Sequence, residues 1–352
     1  MNTPQPVLHE LAEGALLVEY PDCPDAQANR RAVALAGALL GAGIEGLLDA
    51  IPGARTLLLA FEPLRLSHEQ ARRQVVARSL EPVAAGSGRM FSIAAAYGGE
   101  MGPDLSPLAS RAGLTPEEFA RRHCSGDYTV AFLGFSPGFA YLTGLDAELQ
   151  APRLPTPRPR VAAGSLAIGG PYTGIYPSAS PGGWRLIGRA AVRLFDVEAE
   201  PPVLLSPGDR VRFEPVAPDR LAALERDLAA SAARPDTSPG GHPVIRIVKP
   251  GLFTSIQGAP RPGGGARGLP PGGAMDEDAL AGANTRLGNA SGAAALEITL
   301  LGPELEAVCD VGVCLSGAAM AVERNGVSVE ASSPIRLAAG SSKFARSRIL
   351  LM

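Results

Sequence analysis

Any chemistry in this sequence has to come from a histidine, a carboxylate and a guanidinium set among loops built from glycine and proline. His123 is the only histidine among those loops, since His9, His68 and His242 sit near element ends or linkers. An imidazole titrates near neutrality, so His123 is the candidate general acid or base; at a helix C-terminus it can equally act as a charge-compensating cap. Asp104, in Tyr97-Gly-Gly-Glu-Met-Gly-Pro-Asp-Leu105, is either a second base or the N-cap of a following helix. Gly98 and Gly99 in the same loop allow a backbone to approach a ligand closely. Arg158 ends Pro152-Arg-Leu-Pro-Thr-Pro-Arg158 and offers a planar fork that suits a carboxylate or phosphate.

Around these three lie groups suited to binding. Gly134-Phe-Ser-Pro-Gly-Phe-Ala-Tyr-Leu142 places Phe135, Phe139 and Tyr141 about a turn at Pro137 and Gly138. Those rings either wall a small-molecule pocket or pin the turn from the core, and the sequence leaves both open. Ser165, Thr173 and Tyr176 add hydroxyls on adjacent loops. Trp184, the single tryptophan, follows Ser180-Pro-Gly-Gly and reads as a barrel plug. The chain has no GxxxxGK[ST] loop, HExxH, GxSxG elbow or Rossmann fingerprint. Its four cysteines form no CxxC pair, so neither a metal site nor a disulfide framework is expected, and a reducing compartment is.

The elements that must position these groups fall into four stretches. Ala15–Tyr20 and Thr56–Phe61 read as strands, and Asp25–Leu40 repeats apolar residues at helical spacing. Ser67 and Gln70 have the spacing of a capping box opening a helix to about Ser79. Residues 1–82 therefore make a small α/β domain. From 86 to 216, strand-like runs (Phe91–Ala95, Tyr128–Phe132, Ala191–Phe195, Val211–Glu214) alternate with dense turn signals, which predicts a closed barrel. One helix, Pro116–His123, interrupts it, with Thr115 as N-cap, proline at N1 and Glu118 at N3. Residues 217–242 are a helix (Ala217–Ala233) and a Pro/Gly/Ser linker. Residues 243–352 form a second β-rich module with a helix opened by Asp276, Glu277 and Asp278 and ended by Gly288. Leu205–Phe213 and Leu337–Phe344 echo one another as strand-turn-strand shapes. The fold class is α+β.

The 352 residues carry a net charge of -3 from 32 basic and 35 acidic side chains, a balance with no footprint for nucleic acid or an anionic membrane. The longest apolar run, around Val33–Leu40, is too short to span a bilayer, and the N-terminus shows no secretory pattern. A cytoplasmic protein is expected.

In order along the chain, Tyr97-Gly-Gly…Gly-Pro-Asp-Leu105, His123, Gly134–Leu142, Thr156-Pro-Arg158, Gly164-Ser165, Thr173-Gly-Ile-Tyr-Pro177 and Ser180-Pro-Gly-Gly-Trp184 resemble the allophanate hydrolase subunit 1 family. That family includes the sporulation kinase inhibitor and the 5-oxoprolinase B subunit. The resemblance covers about Leu11–Val216 and implies an α/β domain followed by a cyclophilin-like β-barrel, a fold name that carries no isomerase activity with it. Beyond the linker, Val248-Lys-Pro-Gly-Leu252, Thr254-Ser-Ile-Gln257, Gly273-Ala-Met-Asp276, Ala283-Asn284, Gly288-Asn289 and Ala295-Leu-Glu-Ile-Thr299 resemble allophanate hydrolase subunit 2. That second family includes biotin-dependent carboxyltransferases and the 5-oxoprolinase C subunit. The family's acid after Gln257 is Gly258 here, and Ser341–Met352 departs from the family's continuation, so the second module reads as a truncated barrel.

The resemblance implies a B–C fusion serving an ATP-dependent 5-oxoprolinase, an amidohydrolase that opens a cyclic amide to glutamate. Its partner would be a separate 5-oxoprolinase A-subunit-like protein that holds a share of the ATP. On this reading Arg158 clamps a carboxylate or phosphate and His123 or Asp104 moves protons. Tyr97, Gly98, Gly99, Phe135, Pro137, Gly138, Phe139, Tyr141, Ser165, Thr173, Tyr176 and Gln257 line the substrate. The alternatives are the carboxyltransferase part of a biotin-dependent urea or amide carboxylase, and a histidine kinase inhibitor. Lys249 and Lys343 lack the context of a biotin attachment site, so a biotin carrier would be another chain. An incomplete barrel leaves strand edges unpaired, which predicts self-association unless a partner covers them. The sharpest expectation is that His123 and Arg158 meet in one cleft.

Overall fold

A computed structural model describes residues 5–23, 25–79, 88–232, 242–330 and 332–339. The chain divides into two compact units, residues 1–233 with 262–270, and residues 234–261 with 271–352.

The first unit opens with an antiparallel sheet and two helices: β1 (Val7–Ala12), β2 (Ala15–Glu19), α1 (Asp25–Gly41), β3 (Leu47–Pro52), β4 (Thr56–Phe61) and α2 (His68–Ser79), in sheet order β1-β2-β4-β3. Alternate residues of two strands (Leu16, Val18; Leu57, Leu59, Phe61) meet Ala28, Ala32, Leu35 and Leu39 of α1 in a dry core. The capping box forms reciprocally, with Ser67 N–H donating to Gln70 Oε1 at 2.8 Å and Gln70 N–H to Ser67 Oγ at 3.3 Å. The sequence reading missed β1, which is almost wholly exposed, and β3, in which Asp49 and Pro52 interrupt the apolar pattern.

The rest of the unit is a barrel with its attachments: β5 (Met90–Tyr97), α3 (Leu105–Arg111), α4 (Pro116–Cys124), β6 (Tyr128–Leu133), β7 (Ala140–Thr143), β8 (Arg158–Val161), β9 (Ser165–Gly169), β10 (Tyr172–Ile175), β11 (Ser180–Gly182), β12 (Arg185–Ala190), β13 (Arg210–Pro215) and α5 (Pro218–Ala232). Seven strands close in the order β10-β7-β6-β13-β5-β12-β9, antiparallel except for β13 on β5, while β8 and β11 pair outside the ring. Inward residues recur at every second position: Ile93 and Ala95, Leu166 and Ile168, Val211 and Phe213. The expected strand Ala191–Phe195 is not one; the strand is β12, just before it. A bulge between Leu186 and Gly188 breaks β12's alternation, and a Cβ at Gly188 would run into the Ala96 carbonyl, so glycine stands where the pattern asks for an apolar residue.

Residues 262–270, read from sequence as part of the second module, belong to the first unit. Gly265 N–H donates to Asp49 Oδ2 at 2.7 Å, and Leu269 packs on the barrel core.

The second unit holds β14 (Ile245–Lys249), β15 (Phe253–Gln257), α6 (Glu277–Leu287), β16 (Ala295–Thr299), β17 (Glu304–Ala307), β18 (Val311–Val313), β19 (Val322–Arg324), β20 (Val327–Val329) and β21 (Ile335–Leu337). They pair as four two-stranded ladders around a small core of Leu305, Ala307, Val322 and Leu337. Asp276 caps α6 through Ala279 N–H at 2.8 Å, and Gly288 ends it at φ 76°. Most of the linker 234–242, part of the Leu337–Phe344 echo and all of Ser341–Met352 lie outside the described residues.

Candidate functional site on the outer face of the barrel

The helix α4 forms as its signals require, with Glu118 N–H donating to Thr115 Oγ1 at 3.2 Å. It places Phe119 and His123, one turn apart, into the barrel interior. His123 is completely buried, beside the rings of Tyr128 and Phe213 at centroid distances of 5.3 and 5.1 Å. Its Nε2 lies 2.9 Å from Thr173 Oγ1, and its Nδ1 lies 2.9 Å from the Tyr97 hydroxyl. Thr173 spends its one proton on the Ala167 carbonyl at 3.0 Å. The direction of the row follows. Thr173 must accept from His123 Nε2–H, Nδ1 is left as the acceptor, and Tyr97 O–H donates to it. Every group in this row is satisfied inside the protein. Burial pulls the His123 imidazole down to about 3 and pushes the Tyr97 and Tyr128 phenols up. Neutral, sealed and fully bonded, His123 has no path to a substrate.

Asp104 and Arg158 are elsewhere. Asp104 makes no side-chain cap to α3. Its Oδ2 accepts from Leu186 N–H at 2.7 Å and its Oδ1 from Arg158 Nη2 at 2.9 Å. Asp104 N–H returns to the Leu186 carbonyl at 3.0 Å, so this aspartate clasps the β12 bulge. Gly98 and Gly99 both have positive φ (73° and 57°), which lets the loop after Tyr97 fold back so that Gly98 N–H meets the Ile187 carbonyl at 3.0 Å.

The expectation of one cleft shared by His123 and Arg158 is therefore corrected. Alternation sends Leu166, Ile168 and Thr173 inward toward His123, and sends Ala167, Tyr172 and Tyr176 outward. Leu186, which Asp104 holds, packs with the outward set. The wall of β9, β10 and β12 separates the two side chains. Asp104 is a tether with a donor on each oxygen, and Arg158 spends Nη2 on Asp104 and Nη1 on the Trp184 carbonyl (3.5 Å).

The outer side of this wall is covered by an aromatic platform in which Phe139, Tyr176 and Trp184 are buried, so that its accessible rings are Phe135 and, in part, Tyr141. Phe139, Tyr141, Tyr176 and Trp184 meet edge to face with centroids 5.2–5.3 Å apart, and Phe132 stacks on Tyr141 at 4.4 Å. Trp184 does not plug the barrel. Its indole lies against Gly169 and Gly174, where the outward Cβ of a larger residue at Gly169 would collide with it. Phe135 caps the platform, 5.4 Å from Phe139 and 6.2 Å from Tyr176, yet it is 59% exposed. Its φ of 71° is a costly conformation for a bulky residue, and strain of this kind clusters at ligand sites.

The loop closes tightly beneath it, with Gly134 N–H on the Phe139 carbonyl (3.1 Å) and Phe139 N–H on the Ser136 carbonyl (3.0 Å). Pro137 sits in that turn, and Gly138, at φ 81°, brings it against the Leu194 carbonyl. The hydroxyls of Ser136 and Ser180 are buried without a hydrogen-bond partner. Ser165 is buried at the start of β9, its carbonyl accepting from Tyr176 N–H at 3.0 Å. Gln257 belongs to the second unit, where its Nε2 donates to Ser255 Oγ at 3.1 Å.

One group here was missed from sequence. Arg153 lies with its Nε 3.7 Å from where a Cβ on Gly183 would stand, and its charge reaches the hydroxyls of Tyr141 and Tyr176. Among the described residues it has no ion pair or hydrogen bond. Its signal was the Pro152–Arg158 motif, in which both arginines stand out equally by type. Among the described residues no three His, Cys, Asp or Glu side chains gather as metal ligands.

The carboxyltransferase domain model for subdomains C and D matches residues 6–205, and that for subdomains A and B matches residues 267–343. The chain belongs to this carboxyltransferase-domain family. Within it, the chain is 42% identical over 174 residues to the 5-oxoprolinase B subunit of Escherichia coli O157:H7, covering 48% of this chain and 78% of the relative. It is 35% identical over 219 residues to the 5-oxoprolinase B subunit of Bacillus subtilis, covering 58% and 91%. The crystal structure of TTHA0988 superposes with a TM-score of 0.77 at 34% identity over 95% of this chain, which spans 65% of that one's length. The matches run in the order C and D before A and B. No helix among the described residues is long and apolar enough to cross a membrane.

Proposed function

We propose that the chain is a B–C component of an ATP-dependent 5-oxoprolinase, opening 5-oxoproline to glutamate with a separate A subunit. The observation that carries this reading is the likeness, over 78–91% of the relatives' length, to the 5-oxoprolinase B subunit. A lactam is resonance-stabilised, and its opening needs activation of the amide, which ATP supplies. The sequence has no phosphate loop, so the A subunit is assigned the nucleotide and this chain the small cyclic amide. Phe135 and the half-buried Tyr141 offer apolar surface against which the ring of a small cyclic amide can lie, backed by the buried rings of Phe139, Tyr176 and Trp184. The chain's residues here bind and orient. None of them is placed to move a proton, because His123 is sealed and Asp104 is tethered. The test is reconstitution with the A subunit: the reading expects 5-oxoproline-dependent ATP hydrolysis and stoichiometric glutamate, and a folded complex without either would overturn it.

A second reading follows from the two carboxyltransferase matches, namely carboxyl transfer from a biotin carrier on another chain to a small amide. Recovery of a biotinylated partner with this chain would favour it.

A further inference from the structure

We propose that Arg153 is the carboxylate-recognition residue of the outer-face site, and that Arg158 is a positioning residue which holds the wall behind it. This rests on the reading of the site as one for a small cyclic amide and names the part of the ligand that the fold selects.

Arg158 lies beside the Trp184 carbonyl and Arg153 beside Gly183, the residue before it. Both charges reach the Tyr176 hydroxyl, which accepts a hydrogen bond from the Trp184 backbone N–H. They differ in what they are already doing. Arg158 is committed to Asp104 and to the Trp184 carbonyl, and its charge is neutralised by a carboxylate that also holds Leu186 N–H. Arg153 is exposed, has no such partner among the described residues and lies along the backbone of Gly183, where the missing side chain leaves room beside it. An arginine with unspent donors beside an aromatic floor suits a planar anion that is part of a ring compound.

The neighbouring loops add a second, independent sign of a ligand. The hydroxyls of Ser136 and Ser180 are buried and unpaired, a condition that costs free energy unless a partner arrives, and they lie in the turn that carries Phe135 and at the start of β11. Phe135 is held at positive φ with its ring exposed above the same platform. A ligand ring seated there would place an attached carboxylate toward Arg153 and leave its amide for the serine hydroxyls. The ligand class is a small cyclic amide bearing a carboxylate on the ring, and an amide lacking that carboxylate would be taken weakly.

The experiment is isothermal titration of the full-length chain with three probes: 5-oxoproline, 2-pyrrolidinone (the same ring without the carboxylate) and inorganic phosphate. The wild type is expected to bind 5-oxoproline at least tenfold more tightly than 2-pyrrolidinone. Arg153→Gln removes that advantage and leaves 2-pyrrolidinone binding unchanged, while Arg153→Lys restores part of it. Arg158→Gln lowers the unfolding temperature and weakens both rings alike. Equal 5-oxoproline affinity in wild type and Arg153→Gln would overturn the assignment of Arg153 while leaving the site standing. Phosphate competing as well as 5-oxoproline would overturn the carboxylate class. No binding of either ring by the wild type would remove the site, and with it this inference, independently of whether the reconstituted complex hydrolyses ATP.

Discussion

The wall of β9, β10 and β12 carries polar and aromatic motif residues on both sides, and the two sides treat them differently. Inside, Tyr97, His123, Thr173 and the Ala167 carbonyl form a single directed row in which each donor has one acceptor. Outside, an exposed Phe135 is held at positive φ, Arg153 is unpaired among the described residues, and two serine hydroxyls are buried without partners. The first arrangement has nothing left to give a ligand; the second has bonding capacity left over. Residue type alone does not separate structure from function here. Satisfaction does: a polar motif residue whose bonding capacity is filled within the fold is holding the fold, and one with capacity left over is available to a partner.

The largest test of this contrast removes the inner row. His123→Ala leaves the Tyr97 hydroxyl without its acceptor and Thr173 Oγ1 without its donor beside a new cavity, and is expected to cost about 3 kcal/mol or more of unfolding free energy in urea titration. Tyr97→Phe takes one donor from the row and should cost about 1 kcal/mol. If either left stability unchanged while abolishing ligand binding, the division into inner structure and outer site would fail.

The next effect is a pH dependence with a definite sign. In the folded chain His123 is pulled down to about 3, below its usual 6.5, so between those values the unfolded chain binds the extra proton. Stability from this residue is complete above pH 6.5 and falls as the solution is acidified, by about 2 kcal/mol at pH 5. Urea unfolding at pH 7.5 and 5 measures it, and the difference should shrink in His123→Gln. Stability that rose on acidification, with the slope lost in the variant, would mean that the imidazole is charged in the fold.

The smallest effect on stability sharpens the outer side. Phe135→Gly removes the strain of a bulky residue at φ 71° and should leave stability unchanged or raised by up to about 1 kcal/mol. Binding of 5-oxoproline should nonetheless weaken about tenfold, because the platform loses its cap. A loss of stability with intact binding would make Phe135 a core residue that happens to be exposed.

Much of the fold was legible because its signals are local. The capping box at Ser67 and Gln70, the Thr115-Pro116 start of α4, and Asp276 with Gly288 around α6 each depend on neighbours within a few residues, and each formed. Strand β12 was misplaced because its bulge and Gly188 answer to the Ala96 carbonyl across the sheet, which no local pattern displays. The site was half legible for the same reason. Spacing brought out His123, Asp104 and Arg158 by type, but which side of the wall each occupies depends on strand register, and on which partners fill its bonds. Arg153 and Arg158 are chemically identical in sequence; only Asp104, fifty-four residues from Arg158, tells them apart. Gly265 reaching Asp49 is a contact of still longer range, and it put residues 262–270 with the first unit.

Because Trp184 is the single tryptophan and forms part of the outer platform, its fluorescence reports on that face alone. Titrating 5-oxoproline into the full-length chain should give a saturable change in Trp184 emission that needs about tenfold more ligand in Phe135→Ala and is unshifted in folded Tyr97→Phe. A titration unshifted in Phe135→Ala and weakened in folded Tyr97→Phe would place the ligand inside the barrel and contradict the account.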